Sequence, residues 1–261
     1  MPTPLVKIKL HPPSGTIILN RPDKRNALSR SLIREIVQAF NDLHQERKVR
    51  AVILTGAGTA FCAGMDLAEM QATAKLEDPY PQWHDDAVQY RELIETMWRY
   101  PKPIIAAVSG PALAGGAGLA LASDIVIAAP EAKFGLPEPR RGIVAGLVAP
   151  LLAFRVGGGH AARLLLSAEL IDAGEAHRIG LYHEIVKSDL IWARAHEIAK
   201  ECAKGAPEAL QLTKRMLNET IGESLTTMIS AGAAVSATAR TTAAAAEGLA
   251  AFFEKREADW Q

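Results

Sequence analysis

Two glycine-bearing loops carry the first chemical signal in this chain. One is TGAGTAFCAGMDL, residues 55–67, and the other is GPALAGGAGLALASD, residues 110–124. Each follows an apolar run that reads as a buried strand, and each ends where a helical pattern begins. A helix start leaves backbone N–H groups unpaired at the positive end of its dipole. Two such groups aimed at one point make an oxyanion hole, in which one lost donor costs ~3–4 kcal/mol of transition-state stabilisation. Glycine and alanine suit that use because they let another backbone or a ligand come close. The same residues also serve plain turns and helix packing, so one loop alone would not decide between the two uses. A third candidate is Glu138 in FGLPEPRRG, a carboxylate set between prolines and followed by Arg140 and Arg141. A surface pairing with either arginine is its structural alternative.

The elements that must position these loops follow from periodicity. LVKIKLH and GTIILN read as strands joined by PPSG. SRSLIREIVQAFNDLHQE is a helix capped by Ser29 or Ser31, with Leu32, Ile36, Val37, Phe40 and Leu43 on one stripe. VRAVILTG, KPIIAAVSG, IVIAAP and LYHEIV read as strands. DLAEMQATAK, DAVQYRELIETMWRY, GGAGLALASD, HAARLLLSAEL and DAGEAHRIG read as helices. From Leu190 onward the pattern is helical, and TTAAAAEG reads as a helix start or a hinge. Recurring strand–loop–helix units argue for an α/β fold.

Bulk properties exclude several classes. The chain has 261 residues, 49% of them hydrophobic, enough to bury a large core. Its 29 basic and 29 acidic residues balance, which argues against a nucleic-acid surface. Cys62 and Cys202 are far apart in sequence and have no metal-ligand spacing, so neither a disulfide framework nor a metal site is expected, and a cytoplasmic location is. The start, MPTPLVKIKLHPPSG, has no apolar leader core, and no uncharged run is long enough to imply a membrane partner.

Read end to end, the chain resembles the crotonase, or enoyl-CoA hydratase/isomerase, superfamily. The resemblance is carried by LNRPDKRNALS, AVILTGAGTAFCAGMDLAEM, KPIIAAVSGPALAGGAGLALASDIVIAAPEAKFGLPE, ARLLLSAELIDAGEAHRIGLYHEIV and EGLAAFFEKREADW. It implies a crotonase-type spiral of ββα units over residues 1–195 and a helical trimerisation region over 196–261. The assembly implied is a homotrimer or dimer of trimers. The substrate implied is an acyl-CoA thioester, with coenzyme A entering as part of it and no separate cofactor. The carbonyl-binding N–H groups would be those of Met65 and Gly115. Ala27, Ala63, Asp66 and Leu67 fall in the motifs around that site, Asp66 at a helix-capping position.

The resemblance makes Glu138 the general acid/base, in which case it should be poorly solvated with its pKa raised toward neutrality. A typical hydratase has a second glutamate, and here its position is Gly118. One carboxylate suffices to move a proton between two carbons. Hydration by a single-glutamate relative also occurs, so both reactions stay open. Loss of the first glutamate also keeps alive a catalytically weak acyl-CoA-binding scaffold. Gly146 matches a glycine that helps place water or substrate. Lys24 and Arg25 fit the segment along the pantetheine and phosphates. Phe252 and Lys255 match residues that approach the nucleotide from a neighbouring subunit. An amphipathic end helix, with Phe252 and Phe253 in a core, is the alternative.

Other patterns carry less. Gly157, Gly159 and Ala162 loosely match a dinucleotide fingerprint, but no βαβ unit opens the chain. Ser109, Ser123 and His177 invite a triad, yet AVSGP is not a nucleophile elbow. His84 lies in the segment that shapes the acyl pocket in relatives and could supply a second acid/base group.

Overall fold

A computed structural model describes residues 4–260. In chain order the strands are β1 (Val6–His11), β2 (Ser14–Leu19), β3 (Ala51–Gly56), β4 (Ile104–Val108), β5 (Ala112–Leu113), β6 (Ile125–Ala128), β7 (Lys133–Gly135), β8 (Leu170–Asp172) and β9 (Glu184–Ile185). The helices are α1 (Arg30–Gln45), α2 (Leu67–Thr73), α3 (Tyr80–Arg99), α4 (Gly115–Ala122), α5 (Val148–Ser167), α6 (Ala173–Arg178), α7 (Ile191–Ala203), α8 (Pro207–Arg215), α9 (Glu223–Ala239) and α10 (Ala243–Glu254).

The main sheet runs β1-β2-β3-β4-β6-β9, antiparallel only between β1 and β2. Strands β3 and β4 are apolar on both faces because both are covered, as parallel sheets require. Val52, Leu54 and Ala106 face the large core with α1, α3, α4 and α5, while Ala51, Ile53 and Ile105 meet Ala195 and Ala199 of α7. A small second sheet, β5-β7-β8, stands beside the first. Its strands are too short to give a periodic signal, and the sequence reading does not contain them.

Other boundaries move for local reasons. Ser29, not Ser31, caps α1 by accepting from the Leu32 N–H. Helix α3 begins at Tyr80, so the polar stretch before Asp86, including Trp83 and His84, is helical. Helix α5 starts at Val148 rather than His160, is broken at Gly157 (φ +76°) and stops at Ser167. The LYHEIV strand shrinks to Glu184–Ile185. TTAAAAEG is a helix start, with Thr242 accepting from the Ala245 N–H. No helix among the described residues is long and apolar enough to cross a membrane.

Candidate active site

The two glycine loops come together. Cys62 and Ala112 form an isolated parallel bridge, in which the Cys62 N–H donates to Pro111 O at 3.1 Å and the Leu113 N–H donates to Cys62 O at 2.9 Å. Gly64 (φ +92°) lies on the other loop so closely that a Cβ there would stand 2.6 Å from Ala114 Cβ and 3.2 Å from Gly115 N. A Cβ on Gly116 would stand 2.2 Å from Cys62 O. Glycine is therefore required at Gly116 by the Cys62 carbonyl, and at Gly64 by its positive φ and the adjoining Ala114 Cβ. Ala114, the residue before α4, has φ +52° and ψ −125°, a strained conformation for a residue with a Cβ. Its N–H donates to Gly135 O at 3.0 Å, which ties the turn to the second sheet. The chain then enters α4 with the Gly115 N–H in the first turn, where a helix has no internal acceptor for it.

A third strip runs along the first loop. The Ala63 N–H donates to Arg25 O, the Leu28 N–H to Gly64 O and the Asp66 N–H to Leu28 O. Asn26, fully buried, locks this strip: its Nδ2 donates to Ala57, Ala60 and Phe61 carbonyls. Arg21 donates to Ala27 O and to the Asp66 carboxylate. Asp66 itself caps α2 through the Ala68 N–H at 3.0 Å.

These segments wall a cavity of about 640 Å³. Lys24, Arg25, Ala27, Ala63, Met65, Asp66, Leu67, Gly115, Glu138, Gly146 and Phe252 all line it. Gly146 does so from a tight crossing, where an added Cβ would meet Gly232 O at 2.3 Å. Two of the expected site residues do not line this cavity. Lys255 is exposed just past the C-terminal end of α10 (φ +57°), consistent with a residue expected to act at a neighbouring subunit's site. Gly118 is buried behind the wall, because the space a side chain would enter is filled. The filler is Tyr90: a Cβ on Gly118 would lie 2.0 Å from the Tyr90 hydroxyl oxygen. That hydroxyl donates to Gly115 O at 2.6 Å. Burial, then the nearby Cys62 and Glu138, raises the Tyr90 pKa well above its usual value, so the phenol keeps its proton. A double-mutant cycle tests this packing. Gly118→Ala should destabilise the fold by ~1–3 kcal/mol, and Tyr90→Phe in the same chain should recover about 1 kcal/mol of that loss by removing the clashing oxygen.

Glu138 opens the 3₁₀ turn Glu138–Arg141 and is 7% exposed. Its Oε2 is buried without a hydrogen-bond partner, and the carboxylate pairs with neither Arg140 nor Arg141 within ion-pair distance. Burial pushes its pKa up to about 7, against partial offsets from its own backbone N–H and from the Arg141 and Arg240 guanidiniums. The sequence reading missed Arg240, which follows α9 and lines the cavity. The Cys62 thiol is pushed up to about 12 by burial, which leaves it protonated and unsuited to nucleophilic attack.

The remaining candidates do not join the site. His84 is exposed and stacks on Tyr80. Ser123 donates to Leu119 O and His177 bonds Tyr182 O, so no triad forms with Ser109. Gly157 and Gly159 have open space around them. Phe252 and Phe253 are 41% and 37% exposed, so neither lies in a core of this chain. No cluster of metal-binding type occurs among the described residues.

A cavity beside the sheet that gathers two glycine loops, the start of α4 and one buried carboxyl is what this α/β fold builds. The enoyl-CoA hydratase/isomerase family model matches residues 15–261. A putative enoyl-CoA hydratase from Thermus thermophilus is 41% identical over 93% of this chain and 95% of its own length. Crotonyl-CoA hydratase from Syntrophomonas wolfei is 35% identical over 94% of both chains. The crystal structure of an enoyl-CoA hydratase/isomerase from Xanthobacter autotrophicus superposes with TM-score 0.88 at 30% identity, over 96% of this chain and 93% of that one. The chain belongs to the enoyl-CoA hydratase/isomerase family and has the crotonase fold.

Proposed function

We propose that this protein binds an enoyl-CoA thioester with its carbonyl oxygen between the Met65 and Gly115 N–H groups, and that Glu138 alone carries the proton transfers. The observation that carries this reading is Glu138 itself. It is a buried carboxyl with a pKa of about 7 and an unpartnered oxygen, in one cavity with both loop residues. A group with that pKa is a base and an acid in comparable measure near neutral pH.

The reaction that needs no further group is double-bond migration. Glu138 takes a proton from Cα of a 3-enoyl thioester. The electron pair delocalises into a dienolate whose oxygen the two N–H groups hold, and Glu138 returns the proton to Cγ to give the 2-enoyl thioester. Tyr90 standing on Gly118 supports this reading, since no second carboxylate faces the cavity there. Hydration is the second reading, favoured by the names of the Thermus and Syntrophomonas relatives. In it, Glu138 takes a proton from water as oxygen adds to Cβ, and delivers that proton to Cα. Assay with both enoyl isomers separates the two: 2-enoyl product from the 3-enoyl ester selects migration, and 3-hydroxyacyl product selects hydration. No turnover of either, with tight ester binding, would instead indicate a scaffold.

Lys24 and Arg25 are exposed at the cavity rim, suited to the phosphates of coenzyme A. Replacing both by alanine should raise KM for the CoA ester roughly threefold to tenfold at low salt. The corresponding pantetheine ester, which lacks the nucleotide phosphates, should be unaffected in a parallel titration. A trimer fits Phe252, which is exposed at the cavity rim where a neighbouring subunit could cover it. Sedimentation of the purified protein tests that assembly.

A further inference from the structure

Beyond the thioester cavity lies a second chamber of about 380 Å³. Leu67, Met70, Arg141, Ile143 and Arg240 line both, so the two share a wall. The rest of its lining is mainly apolar, from Ala74, Pro79, Trp83, Ala245, Ala246 and Leu249, with Tyr80, Thr241 and Thr242 beside them. Into this setting the fold puts three side chains with four donor nitrogens that have nothing to bond. Arg240 is 8% exposed, and its Nε and Nη1 are buried without a partner. Arg141 Nε and the Trp83 indole N–H are likewise buried and unpartnered.

No carboxylate neutralises the two guanidiniums at ion-pair distance among the described residues. Asp86, the strongest acidic influence on Arg240, is already held by Arg30 through both oxygens at 2.6 and 2.8 Å. Glu138 acts on Arg240 only through space and, at a pKa of about 7, is partly neutral. Asp78 lines the chamber too, but it is exposed and accepts from the Tyr80 N–H. Arg141 is also held in place: Phe252 lies against its guanidinium at 4.9 Å, and Gly248 of α10 packs on its backbone. Burying an unpaired cation is among the costliest arrangements in a protein, and it persists where an anion completes it.

We propose that this chamber receives the far end of the acyl group and that this end is a carboxylate, bound by Arg240 with Arg141. The inference rests on the acyl-thioester reading above. A coenzyme A phosphate does not account for the site, because the exposed Lys24 and Arg25 serve the rim while Arg240 lies deep. Of such a substrate, the acyl tail is the part that can extend past Glu138. The apolar lining holds its methylenes, and a planar guanidinium matches a planar carboxylate.

The test is equilibrium binding of saturated acyl-CoA esters, which undergo neither migration nor hydration. Three of equal length are compared, ending in carboxylate, carboxamide and methyl. The wild-type chain should bind the carboxylate on the order of tenfold to a hundredfold more tightly than the methyl ester, with the carboxamide between. Arg240→Met should reduce that ratio to about one, and Arg240→Lys should retain part of it. Equal wild-type affinity for all three overturns this proposal and leaves the thioester reading standing. Binding of none overturns both. A preference undiminished in Arg240→Met overturns the assignment to Arg240.

Discussion

Glu138→Gln should lower kcat on an enoyl thioester by ~10²–10⁴-fold with little change in ester binding, because it removes the proposed acid–base group and keeps its shape. Stopped assays with each double-bond isomer measure the loss. The same substitution should stabilise the protein at alkaline pH, and the sign follows from burial. Glu138 has a folded-state pKa of about 7, above its ordinary value of 4.5. Its raised pKa favours folding while the carboxyl is neutral, and that benefit is lost as pH rises through about 7. Above that pH the native state holds a buried carboxylate, which glutamine does not. The variant should then be more stable by up to about 3 kcal/mol at pH 8, with the gap closing toward pH 4. Denaturant melts at both pH values read it. A variant that is both fully active and no more stable at pH 8 would remove Glu138 from the chemistry and from the buried site together.

The second large effect is expected from a residue with no side chain at all. Gly116→Ala puts a methyl group 2.2 Å from Cys62 O and 2.7 Å from Cys62 Cβ. Both belong to the facing loop, so the loops must separate, and the two proposed oxyanion donors are carried by these loops. A donor displaced from the oxyanion position should cost ~10²–10³-fold in kcat. The overpacking should cost ~1–3 kcal/mol of stability. Gly158→Ala is the control: nothing lies within 4 Å of its added Cβ, so activity and stability should stay near wild type. Steady-state kinetics beside thermal melts separates lost geometry from lost folding.

The contrast between these glycines shows what the sequence could carry. The two loops are legible because strand and helix start lie together along the chain, while Glu138 is singled out only by the family resemblance. The alternating faces of β3 and β4 are legible from unbroken apolar runs. Tyr90 is different. Its spacing with Ala87, Ile94 and Met97 puts it on the buried face of α3, but nothing local says that its hydroxyl ends on Gly118 and bonds Gly115 O. That contact joins residues far apart in sequence and exists only once α3 packs across α4. Arg240 is hidden for a related reason. In sequence it is a polar residue between helices, and only the docking of α10 onto the Glu138–Arg141 turn makes it an interior cation. The small second sheet has strands of two or three residues, too short for periodicity, yet it anchors Ala114 and so sets the Gly115 N–H.

A proton's path tests the central claim most directly. A 3-enoyl thioester deuterated at Cα is converted in ordinary water, and the 2-enoyl product is analysed for deuterium at Cγ. If the buried carboxyl of Glu138 both removes and returns the proton faster than it exchanges with water, part of the deuterium reappears at Cγ, and Glu138→Gln abolishes that transfer with the turnover. Product formed at the wild-type rate by Glu138→Gln, or deuterium still carried to Cγ by that variant, would contradict a single-carboxylate mechanism.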